Sequence, residues 1–494
     1  MADALTPLSG QPMQHFCGWG ATLVDALDSL CLMGFEDECQ QALNASLALD
    51  FTKCLDDAEV NMFESTIRIL GGLLAAYDLT NDVRLVSKLV ELGDVLHDAF
   101  RTPNGMPRTR FRLGRSEVRP QAPSTAPLAE VGTLSLEFAR LSQITGDGKY
   151  MDAVDLLSQI LARTQQDSGI PGLWPEAVHP SSVGGQGSYF AKGGLRCSLG
   201  AGSDSAYEYL LKSHLLLGRQ TDLYRTMWRA ASERIKEHLL FRPAVPNING
   251  TDVLFSGTAV KVPNRDYITL ETKVQHLACF AGGMFALASR IFEEPKDLKL
   301  ATQLTNGCVW AYLNTPTGIM PESFSVMRCP HEDPRNCEDA YRVLEGHGQP
   351  VCLNGACTDM LPPGFLEVSD PTYRLRPEAV ESVFIMWRAT GNEHWREVGW
   401  TMFQSIIKYT RAPYGHASLA STTQLVDRQA YENETWVSKR GPIQLDEMES
   451  FWFAETLKYF YLLFSEPDLI SLDDYVLNTE AHPFRLTNGI RGFG

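Results

Sequence analysis

The sequence predicts an all-α protein in which paired helices form a ring, with small β-hairpins attached. Apolar residues recur at helical spacing along most of the 494 residues, which indicates amphipathic or buried helices. The helices follow one another in pairs that recur about every 50–70 residues, as in a ring of helical hairpins. No segment shows sustained alternation of apolar and polar residues, so strand-like pieces such as 253–255 are predicted to be short hairpins.

About thirteen helices follow from this spacing. They are predicted near residues 20–34, 39–50, 60–78, 83–101, 127–144, 149–164, 203–218, 222–239, 269–291, 296–313, 377–390, 394–411 and 447–465. Short polar breaks such as 79–82 and 390–392 separate the members of a pair. Because no low-complexity linker divides the chain, we expect residues 1–494 to form a single domain whose inner helices line a central cavity.

Composition excludes some classes of function. Hydrophobic residues make up 44% of the chain and charged residues 21%, which is ordinary for a globular protein. A net charge of -17 argues against nucleic acid as a partner, because binding it needs clustered lysine and arginine. The most apolar early stretch, 16–35, contains Asp25 and Asp28, which would be costly in lipid. We therefore expect no membrane span and no signal or anchor segment in this chain.

The cysteines and the glycosylation sequons indicate an oxidising compartment. Eleven cysteines are too few for a disulfide scaffold but enough for several local bridges. Four of them lie in the long segment 328–370: Cys329, Cys337, Cys352 and Cys357. Disulfides of open pairing that brace this segment are one interpretation, and scattered free thiols are the other. Three sequons begin at Asn44, Asn249 and Asn433.

Glu64 and Arg68 lie four residues apart in the segment 63–72 and therefore share a helix face. A surface salt bridge would explain this spacing on most helices. Here the flanking residues are mostly apolar, Phe63 and Ile67 among them, so little of the helix is expected to reach solvent. A buried carboxylate beside an arginine indicates an acid whose pKa is tuned for chemistry.

Two further pairs of acids lie at the starts of predicted helices. Asp204 follows a glycine-rich turn, and Glu208 lies one turn later on the same face. Capping of the helix by Ser203 or Asp204 would explain the first acid but not the second. Glu378 follows a proline that suits a first helical turn, and Glu381 lies three residues later. For this pair, interaction of acids with the helix dipole is the ordinary explanation.

Acids also lie within a run of aromatic residues at 448–459 and in a polar segment at 477–484. Aromatic stripes usually pack in a core, but such rings also stack on sugars. Each motif alone has an ordinary structural explanation. Together they place several carboxylates on apolar helices of one ring, which is costly without a function. Glycoside hydrolysis needs such carboxylates, one to protonate the leaving oxygen and another to activate water or to attack.

The chain resembles glycoside hydrolase family 47, the class I α-1,2-mannosidases. The stretches that match this family are collinear and lie at 18–28, 63–72, 204–212, 375–382, 448–459 and 478–483. The resemblance implies an (α/α)7 barrel, in agreement with the predicted hairpins. It also implies an enzyme, a mannosyl-oligosaccharide 1,2-α-mannosidase. Such an enzyme inverts the anomeric centre while it removes terminal α-1,2-linked mannose from high-mannose N-glycans of glycoproteins, and we expect it to be a monomer.

The resemblance gives a role to each pair of acids. Glu378 matches the general base that activates water, and Glu64 matches a general acid thought to act through a water molecule. Asp204 matches a second acid that competes for that role, so which of the two delivers the proton stays open. The positions that would bind or orient the sugar are Asp25, Arg68, His276, Glu322, Arg376, Phe451 and Glu455.

The resemblance also implies one Ca²⁺ ion at the floor of the barrel. Thr479 matches the residue that binds the ion directly, through its carbonyl and hydroxyl oxygens. The acids that would hold the waters of the ion are Glu208, Glu381, Glu455 and Glu480. Oxygen ligands and retained waters suit a hard cation. A family disulfide is implied between Cys279 and Cys308.

Gly202 departs from the pattern of the endoplasmic-reticulum members, which carry an arginine at this position. Without that long cationic side chain the cleft is expected to be roomier, as in Golgi or secreted fungal members. We therefore predict removal of several α-1,2-linked mannoses, towards the five-mannose glycan, in the Golgi lumen or after secretion.

Two alternatives stay open. A degradation-enhancing mannosidase-like protein would share the barrel but act in glycoprotein quality control. Gly202 does not exclude it, because those proteins also lack the arginine. A non-catalytic mannose-binding lectin would use the same cleft, although Glu64, Asp204 and Glu378 are all present, which argues against it.

Overall fold

The computed structural model describes residues 1–55, 58–114, 120–184, 190–191, 195–248, 251–331, 336–337, 352–353, 356–357, 361–432 and 435–486. The α-helices in these ranges are Ala21–Asp25, Leu27–Leu32, Glu36–Leu47, Met62–Glu64, Gly71–Thr80, Leu85–His97, Leu128–Gly132, Ser135–Thr145, Gly148–Thr164, Asp204–Leu216, Asp222–His238, Ala281–Phe292, Pro295–Leu313, Glu378–Thr390, His394–Thr410 and Leu457–Phe464. The π-helical turns are Ser65–Leu70 and Trp452–Thr456, and the 3-10 turns are Asp98–Phe100, Pro180–Ser182 and His276–Phe280.

The strands are short and pair antiparallel. The two-stranded pairs are Ala4–Leu5 with Pro12–Met13, Val60–Asn61 with Arg110–Phe111, Ala126–Pro127 with Ala177–Val178, Leu240–Phe241 with Phe255–Ser256, Cys352–Leu353 with Ala356–Cys357, Arg411–Ala412 with Gly415–His416, Val426–Glu432 with Thr435–Gly441, and Tyr475–Leu477 with Pro483–Arg485. Two sheets have three strands each. The strands of the first, in spatial order, are Ile268–Glu271, Thr258–Lys261 and Arg196–Cys197. Those of the second are Lys273–Gln275, Ser323–Val326 and Phe365–Asp370.

Seven of the described helices form the inner layer of a ring. They are Leu27–Leu32, Gly71–Thr80, Ser135–Thr145, Asp204–Leu216, Ala281–Phe292, Glu378–Thr390 and Leu457–Phe464. Each contacts the next, and the π-helical turn that leads into the last helix contacts the first, so the ring closes. The outer helices, each packed on the inner helix before it, are Glu36–Leu47, Leu85–His97, Gly148–Thr164, Asp222–His238, Pro295–Leu313 and His394–Thr410. The predicted ring of paired helices is confirmed.

The burial of side chains separates the two layers. Helix Leu85–His97 buries every third or fourth residue from Leu85 to Leu96, which is one stripe of an amphipathic helix. Helix Asp204–Leu216 is instead buried on all sides after its first residue, because it packs against its neighbours in the ring and against an outer helix. Polar residues on the inner helices are therefore held away from bulk water.

The C-terminal hairpin, 475–485, lies inside the ring. The backbone N–H of Arg485 donates to Oδ2 of Asp78 at 2.8 Å. Nδ2 of Asn478 donates to the carbonyl oxygen of Ile67 at 2.9 Å. The hairpin thus runs along one inner segment from its C-terminal end towards its N-terminal end, so its turn reaches the centre of the ring.

The predicted helix near 269–291 is wrong in its first part. Residues Ile268–Glu271 and Lys273–Gln275 are strands, and helix Ala281–Phe292 follows a turn that begins at His276. Ile268–Glu271 forms a hairpin with the preceding strand Thr258–Lys261, and Lys273–Gln275 pairs with the distant strand Ser323–Val326. Cross-strand pairing of this kind overrides the helical spacing of the apolar residues.

Two other predicted helices are interrupted. The one near 20–34 breaks at Ala26, and the one near 127–144 breaks at 133–134. The hairpin 426–441 was not predicted from the sequence. Its described residues are mostly exposed or half-buried, so neither face carries the apolar alternation that marks a strand.

The described residues contain four disulfides. Cys279 is bonded to Cys308, the pair that the resemblance implies, and Cys329 is bonded to Cys337 at the start of the long segment. Two pairs that were not predicted are Cys17–Cys54 and Cys31–Cys39. The cysteines whose side chains lie outside the described part are Cys352 and Cys357. The predicted disulfide bracing of segment 328–370 is therefore confirmed for Cys329 and Cys337.

Of the three sequons, Asn44 is exposed on helix Glu36–Leu47. The other two, Asn249 and Asn433, lie outside the described residues. Within the ranges that the structure describes, no helix combines the length and the hydropathy needed to cross a membrane.

Candidate active site

A cavity of about 300 Å³ opens where the N-terminal ends of the inner helices converge. Asp204 and Glu378 are the first residues of two of these helices. The predicted site residues that line the cavity are Glu64, Arg68, Asp204, Glu208, Arg376, Glu378, Glu381, Phe451, Glu455, Thr479 and Glu480. Three further predicted residues lie behind this lining and contact it: Asp25, His276 and Glu322.

Glu378 is held by two basic side chains. Nδ1 of His276 lies 2.8 Å from Oε2 of Glu378, and Nη1 of Arg376 lies 3.5 Å from Oε1. Burial by itself raises the pKa of Glu378, but the hydrogen bond with His276 and the charge of Arg376 outweigh burial and leave the pKa below its usual value. Glu378 is therefore a carboxylate at neutral pH, as a general base must be.

Arg376 connects Glu378 to the aromatic wall of the cavity. Its Nε lies 2.5 Å from Oε2 of Glu322, and its guanidinium carbon lies 5.9 Å from the ring centre of Phe451. Arg68 approaches the same ring at 5.4 Å. An aromatic ring bordered by two guanidinium groups is suited to stack against a sugar while the arginines donate hydrogen bonds to its hydroxyls.

Arg68 binds three carboxylates. Its Nε lies 2.7 Å from Oε2 of Glu64, and its Nη1 lies 3.1 Å from Oε2 of Glu480 and 3.6 Å from Oδ2 of Asp25. A surface salt bridge therefore does not explain the spacing of Glu64 and Arg68, since the arginine side chain is only 10% exposed. Arg68 lies in the π-helical turn Ser65–Leu70, a deviation that is frequent at functional sites.

Asp204 has a different environment. Its Oδ1 accepts a hydrogen bond from the N–H of Ser205 at 2.9 Å, and no salt bridge to it is found among the described residues. Burial raises the pKa of Asp204 to about 7, against the hydrogen bond from Ser205, and the charges of Glu208 and Glu378 add to the rise. Ser203 makes no side-chain cap, so capping does not explain this pair of acids.

Buried acids surround the floor of the cavity. They are Glu208, Glu381, Glu455 and Glu480, and the turn of the C-terminal hairpin brings Thr479 to the same cavity. Burial raises the pKa of Glu381 and of Glu480 to about 8, although a basic neighbour opposes the rise in each case. Burial and the charges of neighbouring acids also raise the pKa of Glu455 well above its usual value. A cation at this floor would offset the repulsion among these acids.

The residues of the floor fit a hard cation that keeps part of its water. Carboxylate, hydroxyl and carbonyl oxygens are the donors that Ca²⁺ prefers. Lys212 contacts Glu208 and lies 3.8 Å from Oε1 of Glu381, so a single lysine faces two of the acids. Among the described residues, no group of three or more His, Cys, Asp or Glu is placed to hold a metal ion.

Three polar residues of the site were not predicted from the sequence. Glu130 lines the same cavity as Gly202, and its Oε1 lies 3.3 Å from Nη2 of Arg110. Lys212 lies among the acids of the floor, and Glu137 is fully buried beside the hairpin turn. Each of the three lies in a predicted helix beside apolar residues, so a charged residue among apolar neighbours was the signal that could have found them.

The sequence model of glycosyl hydrolase family 47 matches residues 1–486. The chain belongs to glycosyl hydrolase family 47. It is 33% identical over 484 residues to the human endoplasmic reticulum mannosyl-oligosaccharide 1,2-alpha-mannosidase, and the match covers 97% of this chain and 60% of that protein. It is 34% identical over 489 residues to the mannosyl-oligosaccharide 1,2-alpha-mannosidase of Candida albicans, with 94% and 76% covered.

This family 47 chain also matches a solved structure. The α-1,2-mannosidase from Trichoderma reesei has a TM-score of 0.80 at 28% sequence identity, and the match covers 98% of this chain and 93% of that chain. Nearly the whole chain therefore shares the fold of a family 47 mannosidase. The resemblance inferred from the six collinear motifs is confirmed, and with it the predicted barrel class.

Proposed function

We propose that this family 47 chain is an inverting exo-α-1,2-mannosidase that removes terminal α-1,2-linked mannose from high-mannose N-glycans of glycoproteins. The observation that carries the proposal is Glu378, held as a carboxylate by His276 and Arg376 in one cavity with Asp204. An ionised base and an acid that keeps a proton available near neutral pH are what inversion by water needs. The relatives compared above are named as 1,2-α-mannosidases, which supports this linkage.

In the proposed reaction, Glu378 takes a proton from the water that attacks the anomeric carbon. Asp204 donates a proton to the glycosidic oxygen as the bond to the leaving sugar breaks. We assign the donor role to Asp204 because its pKa of about 7 keeps a proton available. Glu64 is instead paired with Arg68 at 2.7 Å, an arrangement suited to orienting a water molecule or a sugar hydroxyl.

The remaining residues predicted to bind or orient the sugar divide into two groups in this proposal. Residues that line the cavity would contact the sugar: Arg68, Arg376, Phe451 and Glu455. Residues behind the lining would act through them: Asp25 through Arg68, His276 through Glu378 and Glu322 through Arg376.

We also propose Ca²⁺ as the cofactor of this site. Thr479 would bind it directly, and Glu208, Glu381, Glu455 and Glu480 would hold its waters. Bound there, the ion would neutralise the acids of the floor and orient sugar hydroxyls. The buried oxygen donors and the small number of basic side chains at this floor support the proposal.

We propose a broad trimming range, towards the five-mannose glycan, for a monomer whose residues 1–494 form one catalytic domain. Gly202 supports this range because no side chain at that position narrows the cavity. The four disulfides support folding in the secretory pathway, in the Golgi lumen or for secretion.

The test is incubation of the chain with a free nine-mannose glycan, with and without EDTA, followed by mass spectrometry. We expect successive loss of hexoses that stops when the α-1,2 linkages are exhausted, and loss of this activity with EDTA that Ca²⁺ restores. The matched control is Glu378→Gln, which should bind the glycan but release about 10²–10⁴-fold less mannose.

Two outcomes would contradict the proposal. Binding of the glycan without any release of mannose would favour the lectin. Release of mannose only from misfolded glycoproteins would favour the quality-control mannosidase. Full activity in EDTA would mean that hydrolysis does not need Ca²⁺, and the proposed reaction would still stand.

A further inference from the structure

Glu137 is an acid without an ion pair in the described part of the chain, and it is fully buried. It lies on inner helix Ser135–Thr145 and does not line the cavity. Its Oε1 accepts two hydrogen bonds, from the hydroxyl of Tyr209 at 2.6 Å and from Nδ2 of Asn478 at 2.8 Å. Burying a carboxylate without a cation is costly, which indicates that the two hydrogen bonds of Glu137 have a structural or functional role.

Both partners of Glu137 hold the turn of the C-terminal hairpin. Oδ1 of Asn478 accepts from the N–H of Glu480 at 2.9 Å and from the N–H of His482 at 2.8 Å. The hydroxyl of Tyr209 accepts from the N–H of Thr479 at 3.4 Å. The backbone N–H groups of Thr479 and Glu480 are therefore held by Tyr209 and Asn478. Both of these side chains donate a hydrogen bond to Glu137.

The fit around this turn is close. Gly71 lies beside it, and a Cβ atom at that position would be 2.8 Å from Nδ2 of Asn478. The same Nδ2 also donates to the carbonyl oxygen of Ile67 at 2.9 Å. A rotation of the Asn478 amide would lose hydrogen bonds at both ends, so Glu137 is one of the two acceptors that fix the orientation of this amide.

We infer that Glu137 is a positioning residue for the cation site: through Asn478 and Tyr209 it fixes the turn that presents Thr479 and Glu480. The inference rests on the proposed function, because it assumes that a cation binds at this turn. Residues that orient metal ligands through hydrogen bonds change metal affinity when they are replaced, typically by about 10–100-fold.

The test measures Ca²⁺ binding directly, by calorimetric titration of the full chain after removal of metal with EDTA. Glu137→Met removes the acceptor at nearly constant volume, and we expect Ca²⁺ to bind about 10–100-fold more weakly. Glu137→Gln keeps an Oε1 acceptor for both donors, and we expect affinity close to that of the unchanged chain. A residue that only supports the fold would lower the melting temperature without this difference in affinity.

A second pair of variants keeps the test valid if Glu137→Met does not fold. Tyr209→Phe removes one of the two hydrogen bonds and should weaken Ca²⁺ binding. Tyr224→Phe is the matched control. Like Tyr209, Tyr224 is buried and its hydroxyl makes a side-chain hydrogen bond, here with the hydroxyl of Ser158, but it lies on an outer helix.

The outcomes separate this inference from the proposed function. If the unchanged chain binds Ca²⁺ and a folded Glu137→Met or Tyr209→Phe variant binds it equally well, the positioning role is overturned and the proposed function stands. If the unchanged chain binds no Ca²⁺, both the proposed cofactor and this inference are overturned.

Discussion

Nδ1 of His276 lies 2.8 Å from Oε2 of Glu378, and Nε2 of the same ring lies 2.9 Å from the hydroxyl of Tyr312. The imidazole is fully buried between these two partners. It belongs to the turn that follows strand Lys273–Gln275, and it stands 102 residues before Glu378 in the sequence. The charge state of the proposed base therefore depends on a residue that never reaches the cavity.

The first prediction concerns the acidic limb of the pH profile. The base must be ionised, so activity falls as pH decreases through the pKa of Glu378. His276→Ala removes a hydrogen bond that lowers this pKa, so we expect the acidic limb of kcat/KM to move to higher pH. His394→Ala, on an exposed outer helix position, is the control. An acidic limb that stays in place would refute the role of His276.

The second prediction concerns the alkaline limb. The acid must be protonated, so activity should fall as pH rises through about 7, the pKa of Asp204. Asp204→Asn should reduce hydrolysis of the glycan by about 10²–10⁴-fold and abolish this limb. Hydrolysis of α-mannosyl fluoride should be reduced much less, because fluoride leaves without a proton.

Glu64→Gln is the comparison for that experiment. If Asp204 is the donor, this variant should keep the alkaline limb near pH 7, although its activity falls. Retention of the limb in Asp204→Asn and its loss in Glu64→Gln would transfer the donor role to Glu64.

The third prediction concerns the substrate range at Gly202. Its φ of +93° is unfavourable for other residues, yet a Cβ atom there would meet only the carbonyl oxygen of Glu176 at 3.6 Å and Cβ of Pro127 at 3.9 Å. Space is therefore available, at a backbone cost of about 1–2 kcal/mol. We expect Gly202→Arg to lower the melting temperature and to narrow the products to removal of one preferred mannose.

Gly202→Ala separates these two effects. It carries the same backbone cost without a guanidinium group, so it should lower the melting temperature while leaving the order of mannose removal unchanged. Mass spectrometry of products over time gives the order. If Gly202→Arg and Gly202→Ala give the same order as the unchanged chain, the glycine does not determine the range.

The fourth prediction concerns the closure of the ring. Lys458, on the last inner helix, donates to Oδ2 of Asp28 at 2.7 Å and to the carbonyl oxygen of Ala481 at 2.9 Å, with no exposed surface on either charged side chain. His482 lies 3.1 Å from the same Asp28 oxygen. This cluster joins the first helices, the last helix and the C-terminal hairpin.

Lys458→Met leaves Asp28 with one partner fewer in the core. We expect the free energy of unfolding to fall by about 3–5 kcal/mol, measured by urea denaturation. The control is Lys53→Met, which removes a pair with Asp50 that is open to solvent and should leave the urea midpoint unchanged. Equal midpoints for the two variants would mean that the buried cluster does not stabilise the closed ring.

Local patterns were sufficient for the helices and for the family. The stripe from Leu85 to Leu96 repeats every three or four residues, a period that one turn of helix imposes whatever lies elsewhere in the chain. The same holds for Glu64 with Arg68 and for Asp204 with Glu208, which share helix faces by spacing alone. These patterns also allowed ordinary explanations, a surface salt bridge and a helix cap. Only the tertiary structure removed them, because Arg68 is buried and Ser203 makes no side-chain cap.

The sequence by itself determined the helices, their pairing and the identity of the candidate acids, because periodicity and motif are properties of contiguous residues. Only the tertiary structure decided that Lys273–Gln275 is a strand paired with Ser323–Val326, that His276 supports Glu378 and that Glu137 supports the hairpin turn. The physical reason is the same in each case. Those hydrogen bonds join segments far apart in the chain, and their strength comes from a buried environment that exists only once the ring has closed.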